Sequence, residues 1–345
     1  MKKVLYVCSS SLDGKTGGSQ GLLKELDGLK QNFSVDVLNL EKEPNKIKTF
    51  LRLCLLNGGN LDSRDYHIIL NSLLATDYEI VYLSSSNLGK VACKIKNRFP
   101  KIKVVVNYQN NEKKYSFDMF KTKGLLYFPL FLSSCYNEFQ AQRYADLNIF
   151  VSNEDKVSMK CRNNSVVIPV TLKDYFNNND HTDARESYIL FLGAAQYANI
   201  EAAKLLINQI APCINIKCVI AGTGMKKEFP GKYDNVEVYG FIPDLCELFK
   251  YATAFVMPLY YGSGAKVKVA EALMHGKKVI GTSLSFFGYK LDNIEHAICD
   301  SIEDFIREIN NLNQEEKFYE KNRNAFLDFY SSDNNKNYYS IINSL

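Results

Sequence analysis

Several absences narrow the classes to which this sequence can belong. Its 345 residues include no apolar run long enough to cross a bilayer. The apolar run that follows Met1-Lys2-Lys3 is too short for the core of a signal peptide, so we interpret it as the first buried strand of a cytoplasmic protein. Beyond an asparagine cluster at 177–179, the chain contains neither an internal repeat nor a low-complexity tract.

Motifs for metal and nucleic-acid binding are missing as well. The nine cysteines contain no Cys-x-x-Cys pair, which is typical of reduced core thiols rather than of a zinc site or a disulfide framework. The four histidines are dispersed, and no group of aspartates resembles a metal clamp. We therefore expect no metal, no cofactor and no nucleic-acid partner.

Charge is unevenly distributed along the chain. Residues 1–170 hold 24 Lys and Arg against 16 Asp and Glu, a formal charge of +8. Residues 171–345 hold 18 basic and 22 acidic residues, a formal charge of −4. This asymmetry predicts that the first half faces an anionic partner, such as a membrane surface or a pyrophosphate-linked molecule.

Length and periodicity predict an α/β protein with two domains. A chain of 345 residues exceeds the usual size of one hydrophobic core. Strand and helix patterns alternate, which is typical of parallel sheets, and two successive mononucleotide-type halves predict two Rossmann-like domains that face each other. The predicted strands cover residues 3–8, 34–40, 79–83, 103–107, 147–151, 188–192, 216–221, 236–239, 253–257 and 279–281. We place the domains at 1–170 and 188–322, a linker at 171–187 and a C-terminal helical segment at 323–345.

The most informative motif lies at 262–281, directly after a predicted strand. It begins Gly262-Ser263-Gly264-Ala265-Lys266-Val267-Lys268, and apolar residues then recur at helical spacing, which predicts a glycine loop and an amphipathic helix. Lys266 and Lys268 lie in the first turns of that helix, where free amide groups and the helix dipole already favour anions. Glu271, about one turn further on, can accept hydrogen bonds from sugar hydroxyls. A phosphate site beside a hydroxyl site predicts a sugar nucleotide, and Ser263 is expected to cap the helix.

The same residues also have plainer interpretations. Lysines on a helix usually form a solvated face, in which case Glu271 is a surface carboxylate paired with a neighbouring lysine. Gly222 and Gly224 would let a nucleotide base approach closely, but they fit a tight turn equally well, since the third glycine of a dinucleotide fingerprint is missing. The loop, the lysines, Glu271 and a second glycine turn at Gly276 occur together at a predicted strand end, and this combination favours the phosphate site.

Residues 188–282 resemble glycosyltransferase family 4, the large group of retaining, metal-independent enzymes with the GT-B fold. Besides the glycine-lysine motif, the resemblance rests on the order and spacing of Ile189-Leu190-Phe191-Leu192-Gly193, Asn199-Ile200-Glu201-Ala202-Ala203, Ile220-Ala221-Gly222-Thr223-Gly224, Tyr239-Gly240-Phe241-Ile242-Pro243-Asp244-Leu245 and Phe255-Val256-Met257-Pro258-Leu259. Weaker landmarks in the first half are Gly17-Gly18, Asn111-Glu112, Glu138, Arg143-Tyr144-Ala145-Asp146, Val151-Ser152 and Ile168-Pro169.

This resemblance implies a fold, an activity and a set of site residues. The fold is GT-B, with a last helix that crosses back to the first domain. The activity is transfer of a sugar from a nucleoside diphosphate sugar, of UDP or GDP type, to a saccharide acceptor on a lipid carrier, in the biosynthesis of a capsule or exopolysaccharide. Catalytic roles are implied for Lys266, Glu271 and Glu112. The residues expected to bind the donor are Gly17, Gly18, Gly193, Gly222, Gly224, Phe241, Ile242, Gly262, Ser263, Gly264, Ala265 and Lys268.

The sequence departs from the family pattern at three points. Glu271 matches the second of the family's two glutamates, whereas Ser263 stands at the position of the first. Residues 193–198 contain no cation where many members carry an arginine and a lysine, which implies that Lys266, with Lys268, neutralises the phosphates instead. The usual histidine of the first domain is not evident, and Gln109 lies near its place.

Two other functions and one local ambiguity stay open at this point. An epimerase acting on nucleotide sugars shares the two-domain fold, and a non-catalytic saccharide-binding or assembly protein would account for the missing first glutamate. The apolar stretch 121–132 precedes a helix predicted at 136–144. It either dips into a membrane surface, as a peripheral contact of the basic first half, or forms a buried core segment.

Overall fold

The chain folds into two compact units. The computed structural model describes residues 1–13, 17–42, 45–161, 164–177, 187–262 and 264–345. The first unit comprises Met1–Ile168 together with Lys336–Leu345, and the second comprises Pro169–Asn335. Most of the predicted linker, 178–186, lies outside the described residues. No helix in the described ranges is both long and apolar enough to span a membrane.

The first unit is built on a parallel sheet of six strands. Its strands are β1 Lys3–Cys8, β2 Ser34–Asn39, β3 Ile80–Leu83, β4 Lys103–Tyr108, β5 Leu147–Phe150 and β6 Ser165–Val167. They are ordered β2-β1-β3-β4-β5-β6, and all neighbouring strands are parallel. The connecting helices are α1 Gly17–Asn32, α2 Lys46–Cys54, α3 Ser63–Ala75, α4 Gly89–Arg98, α5 Glu112–Lys123, α6 Phe128–Tyr144 and α7 Asn153–Ser158.

Side chains on the two faces of this sheet enter separate hydrophobic clusters. Leu5 and Val7 of β1 pack into one cluster, whereas Val4 and Tyr6 pack into the other. Successive residues of a strand point to opposite faces, so a strand that is apolar throughout is covered on both sides. This arrangement explains why the first apolar run of the chain is continuous rather than alternating.

The second unit contains another parallel sheet of six strands. Its strands are β7 Tyr188–Leu192, β8 Lys217–Ala221, β9 Val236–Tyr239, β10 Ala252–Met257, β11 Lys278–Gly281 and β12 His296–Ile298, in the order β12-β11-β10-β7-β8-β9. Its helices are α8 Tyr197–Leu205, α9 Met225–Glu228, α10 Leu245–Tyr251, α11 Val267–Met274, α12 Ile302–Asn310 and α13 Glu320–Ala325. The predicted α/β class with two parallel sheets is confirmed.

The last helix, α14 Lys336–Asn343, belongs to the first unit. Tyr338, Tyr339 and Ile342 are buried in a cluster that also holds residues of α1 and β1. The hydroxyl groups of Tyr82 and Tyr338 lie 2.9 Å apart, in hydrogen-bonding distance. The chain therefore returns to its first unit after Asn335, as the resemblance implied, while residues 323–335 stay in the second unit.

Three local predictions were wrong. Helix α6 begins at Phe128 rather than near residue 136, because the apolar stretch before that point is itself helical. Gly17 and Gly18 lie in the first turn of α1 rather than in a loop before it. Strands β6 and β12 are missing from the predicted strands, since each has only three residues and therefore carries too weak a pattern.

Candidate functional site

The order of strands in the second unit creates a binding position at the edge of its sheet. Strands β8 and β9 extend from one side of β7, and β10, β11 and β12 extend from the other. The order of connection therefore reverses between β7 and β10, which pair in parallel. Ligands of open α/β sheets bind at such a reversal, outside the carboxyl ends of the strands. The loops 193–196 and 258–266 leave the sheet there.

The glycine-lysine loop connects β10 to α11. Gly262 has a φ of 118° and Gly264 a φ of 69°, a left-handed region that is costly for other residues. The Lys266 ammonium donates a 2.6 Å hydrogen bond to the Gly264 carbonyl, which ties the lysine to its own loop. Ala265 is half-buried between them, and the predicted helix cap, Ser263, lies outside the described residues.

Helix α11 presents its first turn at the same edge. Lys266 precedes the helix in an extended conformation, and no side-chain cap among the described residues occupies its start. The Val269 amide already donates to the Lys266 carbonyl at 2.9 Å, so the groups at this helix start that attract anions are the amides of Val267 and Lys268, together with the helix dipole. The loop thus brings an ammonium group and a helix N-terminus together, as the sequence predicted.

A buried tyrosine, Tyr289, holds this turn by hydrogen bonds from the interior of the unit. It was not identified from the sequence. The Tyr289 hydroxyl donates to the Lys266 carbonyl at 2.7 Å and accepts from the Ala270 amide at 3.1 Å. Burial raises the pKa of Tyr289 well above its ordinary value. The hydroxyl therefore stays protonated and bridges the loop to the helix. No local pattern marks Tyr289, because its partners precede it by about twenty residues.

Glu271 and Lys268 form an ion pair inside α11. The Lys268 ammonium lies 2.8 Å from Oε2 of Glu271, and Glu271 is buried while Lys268 is half-buried. The pairing agrees with the plainer interpretation, but the burial does not, since that interpretation placed Glu271 on the surface. A buried, paired carboxylate has a fixed orientation, and such a group can receive two hydroxyl hydrogen bonds on its free lone pairs.

Three of the predicted donor-site glycines lie close together. Gly222 follows β8 with a φ of 154°, and a Cβ atom there would lie 1.9 Å from the Gly193 carbonyl oxygen. Gly224 has a φ of 84° and precedes α9. Contact between the loops after β7 and β8 is by itself sufficient to explain Gly222, so the tight-turn interpretation accounts for this residue without a nucleotide.

Phe241 and Ile242 lie beyond the carboxyl end of β9. Phe241 is strongly exposed, whereas Ile242 is half-buried against the core of the second unit. An exposed aromatic ring beside an anchored neighbour leaves one apolar face available to a planar ligand group. Both residues lie at the same sheet edge as α11, two strands away from β7.

In the first unit, the carboxyl groups of the buried Glu138 and the half-buried Glu112 interact electrostatically. Glu112 opens α5, and burial raises its pKa although Asn87 donates a hydrogen bond to it. Glu138 accepts a 2.9 Å hydrogen bond from the Lys113 amide, and burial raises its pKa to about 7. Carboxyl groups with raised pKa values can exchange protons near neutral pH, which suits general acid–base chemistry.

A further carboxyl group, Glu25, was missed by sequence reasoning. Asn107 donates to Oε1 of Glu25 at 2.7 Å, and the Tyr6 hydroxyl donates to Oε2 at 3.3 Å. Burial nevertheless raises the pKa of Glu25 to about 7. One signal was available, because Glu25 lies four residues before Leu29, on the apolar side of α1.

No group of three or more His, Cys, Asp or Glu side chains in the described ranges is placed to hold a metal ion. Gly17 and Gly18 lie at the start of α1 in the first unit. They therefore belong to a different unit from the other predicted donor-site residues.

Comparison with protein families places a known domain on the second unit. The family model described as "Glycosyl transferases group 1" matches residues 186–315. That range contains the strand reversal, the glycine-lysine loop and α11. No curated protein sequence matches the chain.

Solved structures resemble the whole chain. HepE of Anabaena, in complex with UDP and glucose, is 14% identical with a TM-score of 0.68, and the match covers 100% of both chains. The lipopolysaccharide outer core galactosyltransferase WaaB is 16% identical with a TM-score of 0.67, covering 100% of this chain and 99% of that one. A glycosyltransferase from Rickettsia africae is 15% identical with a TM-score of 0.65, covering 99% and 98%. At these identities the likeness establishes the fold, which is GT-B-like.

Proposed function

We propose that this protein is a retaining glycosyltransferase that moves a sugar from a nucleoside diphosphate sugar to a saccharide acceptor. One observation carries the proposal. The family match to group 1 glycosyltransferases covers the unit in which Lys266 and the α11 N-terminus meet at the strand reversal. A diphosphate is the ligand group that best fits an ammonium beside the amides of Val267 and Lys268 at a helix N-terminus.

In the proposed reaction, negative charge develops on the diphosphate as the bond to the sugar breaks. Lys266 and the amides of Gly262, Gly264 and Ala265 stabilise that charge, and the loss of one such group typically costs about 10²–10³ in rate. Glu271 accepts hydrogen bonds from the ribose hydroxyls, with Lys268 holding its orientation. Because the protein supplies these charges itself, we propose that transfer needs no metal and persists in a chelator.

The donor and the pathway are proposed from the similar structures. HepE has also been crystallised with UDP-glucose, which supports a UDP-sugar as the first donor to test. WaaB is named for the lipopolysaccharide outer core, which supports an acceptor on a lipid carrier and a role in surface polysaccharide biosynthesis. We also propose a cytoplasmic location, as the sequence analysis predicted. On the acceptor side, Glu112 with Glu138 is the proposed acid–base group.

A donor panel tests the binding half of the proposal. UDP-, GDP- and other nucleotide sugars are compared for their ability to raise the thermal midpoint of the protein, because a ligand that binds only the folded state stabilises it. A rise with one nucleotide class is expected. If no nucleotide sugar raises the midpoint and calorimetry detects no binding of a nucleoside diphosphate, a non-catalytic saccharide-binding protein explains the data better.

A lysine variant tests the catalytic half. Lys266→Ala is expected to lower turnover of the donor by about 10²–10³-fold. The matched control is Lys204→Ala, which removes an exposed lysine of the same unit that pairs with Glu201. Unchanged turnover in Lys266→Ala would remove the lysine from its role.

Product analysis without acceptor separates a transferase from an epimerase, since fast epimerisation of the donor sugar would identify an epimerase.

A further inference from the structure

Helix α2 is attached to the first unit by its polar side. Arg52 donates to Oδ1 of Asn60 at 2.7 Å and pairs with Asp62 at 3.1 Å. The Thr49 hydroxyl donates to the same Asn60 oxygen at 3.1 Å. None of the residues of this helix is buried. Thr49 and Arg52 therefore face the protein, the reverse of the usual arrangement in a surface helix.

The apolar side of α2 faces solvent as a result. Ile47, Phe50, Leu51 and Leu55 recur at the spacing of one helix face, and all four are exposed. Ile47 is 75% exposed and Leu55 67%. Single exposed apolar residues are normal, but a continuous apolar helix face in water marks an interaction site.

Helix α6, which packs beside α2, carries a second exposed apolar stripe. Phe128, Leu132 and Phe139 are exposed at helical spacing along it. The turn before α6 projects Leu125, which is 81% exposed, and Leu126, which is 76% exposed. The interpretation of this stretch as a buried core segment is therefore wrong at these positions. We call these three residues of α6, the two leucines, the three residues of α2 and Leu55, which caps α2 at its C-terminus, the exposed apolar surface.

Exposed lysines lie close in sequence to the residues of the exposed apolar surface, and acidic residues are rare in these stretches. Lys46, Lys48, Lys113, Lys114, Lys121 and Lys123 are all exposed. Residues 45–61 contain no Asp or Glu, and residues 113–137 contain only Asp118. The ammonium groups of Lys121 and Lys123 lie over the rings of Phe117 and Tyr127, at 4.6 and 5.7 Å. These contacts hold cations beside the projecting leucines.

We propose that the exposed apolar surface docks on an anionic lipid bilayer. Apolar helix faces bordered by lysines bind the membrane interface, with the apolar side chains below the headgroups and the ammonium groups on the phosphates. A second copy of the chain fits less well, because its own lysines would meet like charges. The preference for a bilayer over a protein partner also rests on the proposed lipid-linked acceptor. The protein lies on the membrane in this proposal and does not cross it.

The absence of tryptophan makes a direct test possible. The chain contains no Trp, so Leu51→Trp and Leu126→Trp each introduce a single fluorescent reporter. Vesicles containing phosphatidylglycerol are expected to shift the emission of both variants to shorter wavelength, and brominated lipid is expected to quench it. Val157→Trp is the matched control, because Val157 is 74% exposed in the same unit and belongs to no apolar stripe. Its emission is expected to stay unchanged.

Vesicle sedimentation of further variants measures the two contributions. Replacing Leu125 and Leu126 by serine is expected to weaken binding by about tenfold or more. Replacing Lys121 and Lys123 by glutamine is expected to weaken it by about fivefold per lysine. Circular dichroism confirms that each variant is folded. Equal binding to vesicles of phosphatidylcholine alone would overturn the electrostatic part of the proposal.

Two outcomes would overturn the docking proposal as a whole. One is no emission shift in either Trp variant while the protein is folded. The other is a dimer in light scattering that the leucine variants abolish, with no vesicle binding. Neither outcome involves the donor, and calorimetry with UDP is run in parallel. If the protein binds UDP but not vesicles, only the docking proposal is contradicted. If it binds vesicles but not UDP, only the proposed function is contradicted.

Discussion

The carboxylate of Glu271 is buried in α11 and lies 2.8 Å from the ammonium of Lys268. This pair lies one turn from the loop that holds Lys266. The Lys268 ammonium restricts the rotation of this buried carboxylate. The relationship gives the proposed ribose contact a fixed direction, and it can be tested from either side of the pair.

Removal of the carboxylate should weaken donor binding. Glu271→Gln keeps the shape of the side chain but removes the charge-assisted hydrogen bonds, so the Kd for UDP should rise by about tenfold or more. Calorimetry measures the change. Lys268→Met leaves the carboxylate in place, and its Kd should rise less while its thermal midpoint falls, because a buried charge loses its partner. Equal Kd values for Glu271→Gln and the unmodified protein would contradict the ribose contact.

A methyl group at Gly222 should destabilise the second unit. The added Cβ would meet the Gly193 carbonyl oxygen at 1.9 Å, and the φ of 154° is costly for alanine. Gly222→Ala should lower the free energy of unfolding by more than about 2 kcal/mol in a denaturant titration. Gly21→Ala is the control, since a Cβ there meets nothing within 4 Å. That helical substitution should be neutral or slightly stabilising, and equal losses in both variants would argue against the predicted clash.

His275 should make the protein less stable in acid. Its ring stacks on Phe249 at 4.5 Å, and burial lowers the pKa of His275 to about 4, with Lys277 and Arg323 contributing. The unfolded state, with an ordinary pKa near 6.5, binds more protons between these values, so the free energy of unfolding falls as pH drops from about 6.5 to 4.

A phenylalanine at this position should remove that part of the pH dependence. Between about pH 6.5 and 4, the free energy of unfolding of His275→Phe is expected to fall by roughly 2–3 kcal/mol less than that of the unmodified protein. Denaturant titrations at several pH values measure it. His67→Phe, at an exposed histidine, should leave the slope unchanged. An unaltered slope in His275→Phe would show that another group titrates there.

Glu25 should have the opposite effect on the pH dependence of stability. Its folded-state pKa is raised to about 7, from an ordinary value of 4.5. The folded state then binds more protons than the unfolded state between these values, so the free energy of unfolding falls as pH rises from about 4.5 to 7. Relative to the unmodified protein, the free energy of unfolding of Glu25→Gln should therefore increase by about 2–3 kcal/mol between pH 4.5 and 8. Glu154→Gln, at an exposed glutamate, should show no such gain.

Much of the fold followed from the order of residues. Continuous apolar strands alternated with helical patterns, and this local signal was sufficient to predict two parallel sheets. The boundary of α6 was the weakest point, because Leu125–Leu132 is apolar on every side and therefore has no clear helical period. The loop before α11 was predictable for another reason, since its glycines and lysines are adjacent in the chain.

Other features depended on contacts between distant parts of the chain. Tyr289 supports the turn at Lys266, Gly222 contacts Gly193, and Glu25 is enclosed by residues of β1 and β4. The outward apolar side of α2 belongs here too, because the spacing of apolar residues along a helix does not indicate which side faces the core. The residue pattern by itself determined the elements and the local chemistry of the glycine-lysine loop. Only the tertiary structure decided which buried groups meet and which apolar face stays in water, since neither is encoded in the spacing of neighbouring residues.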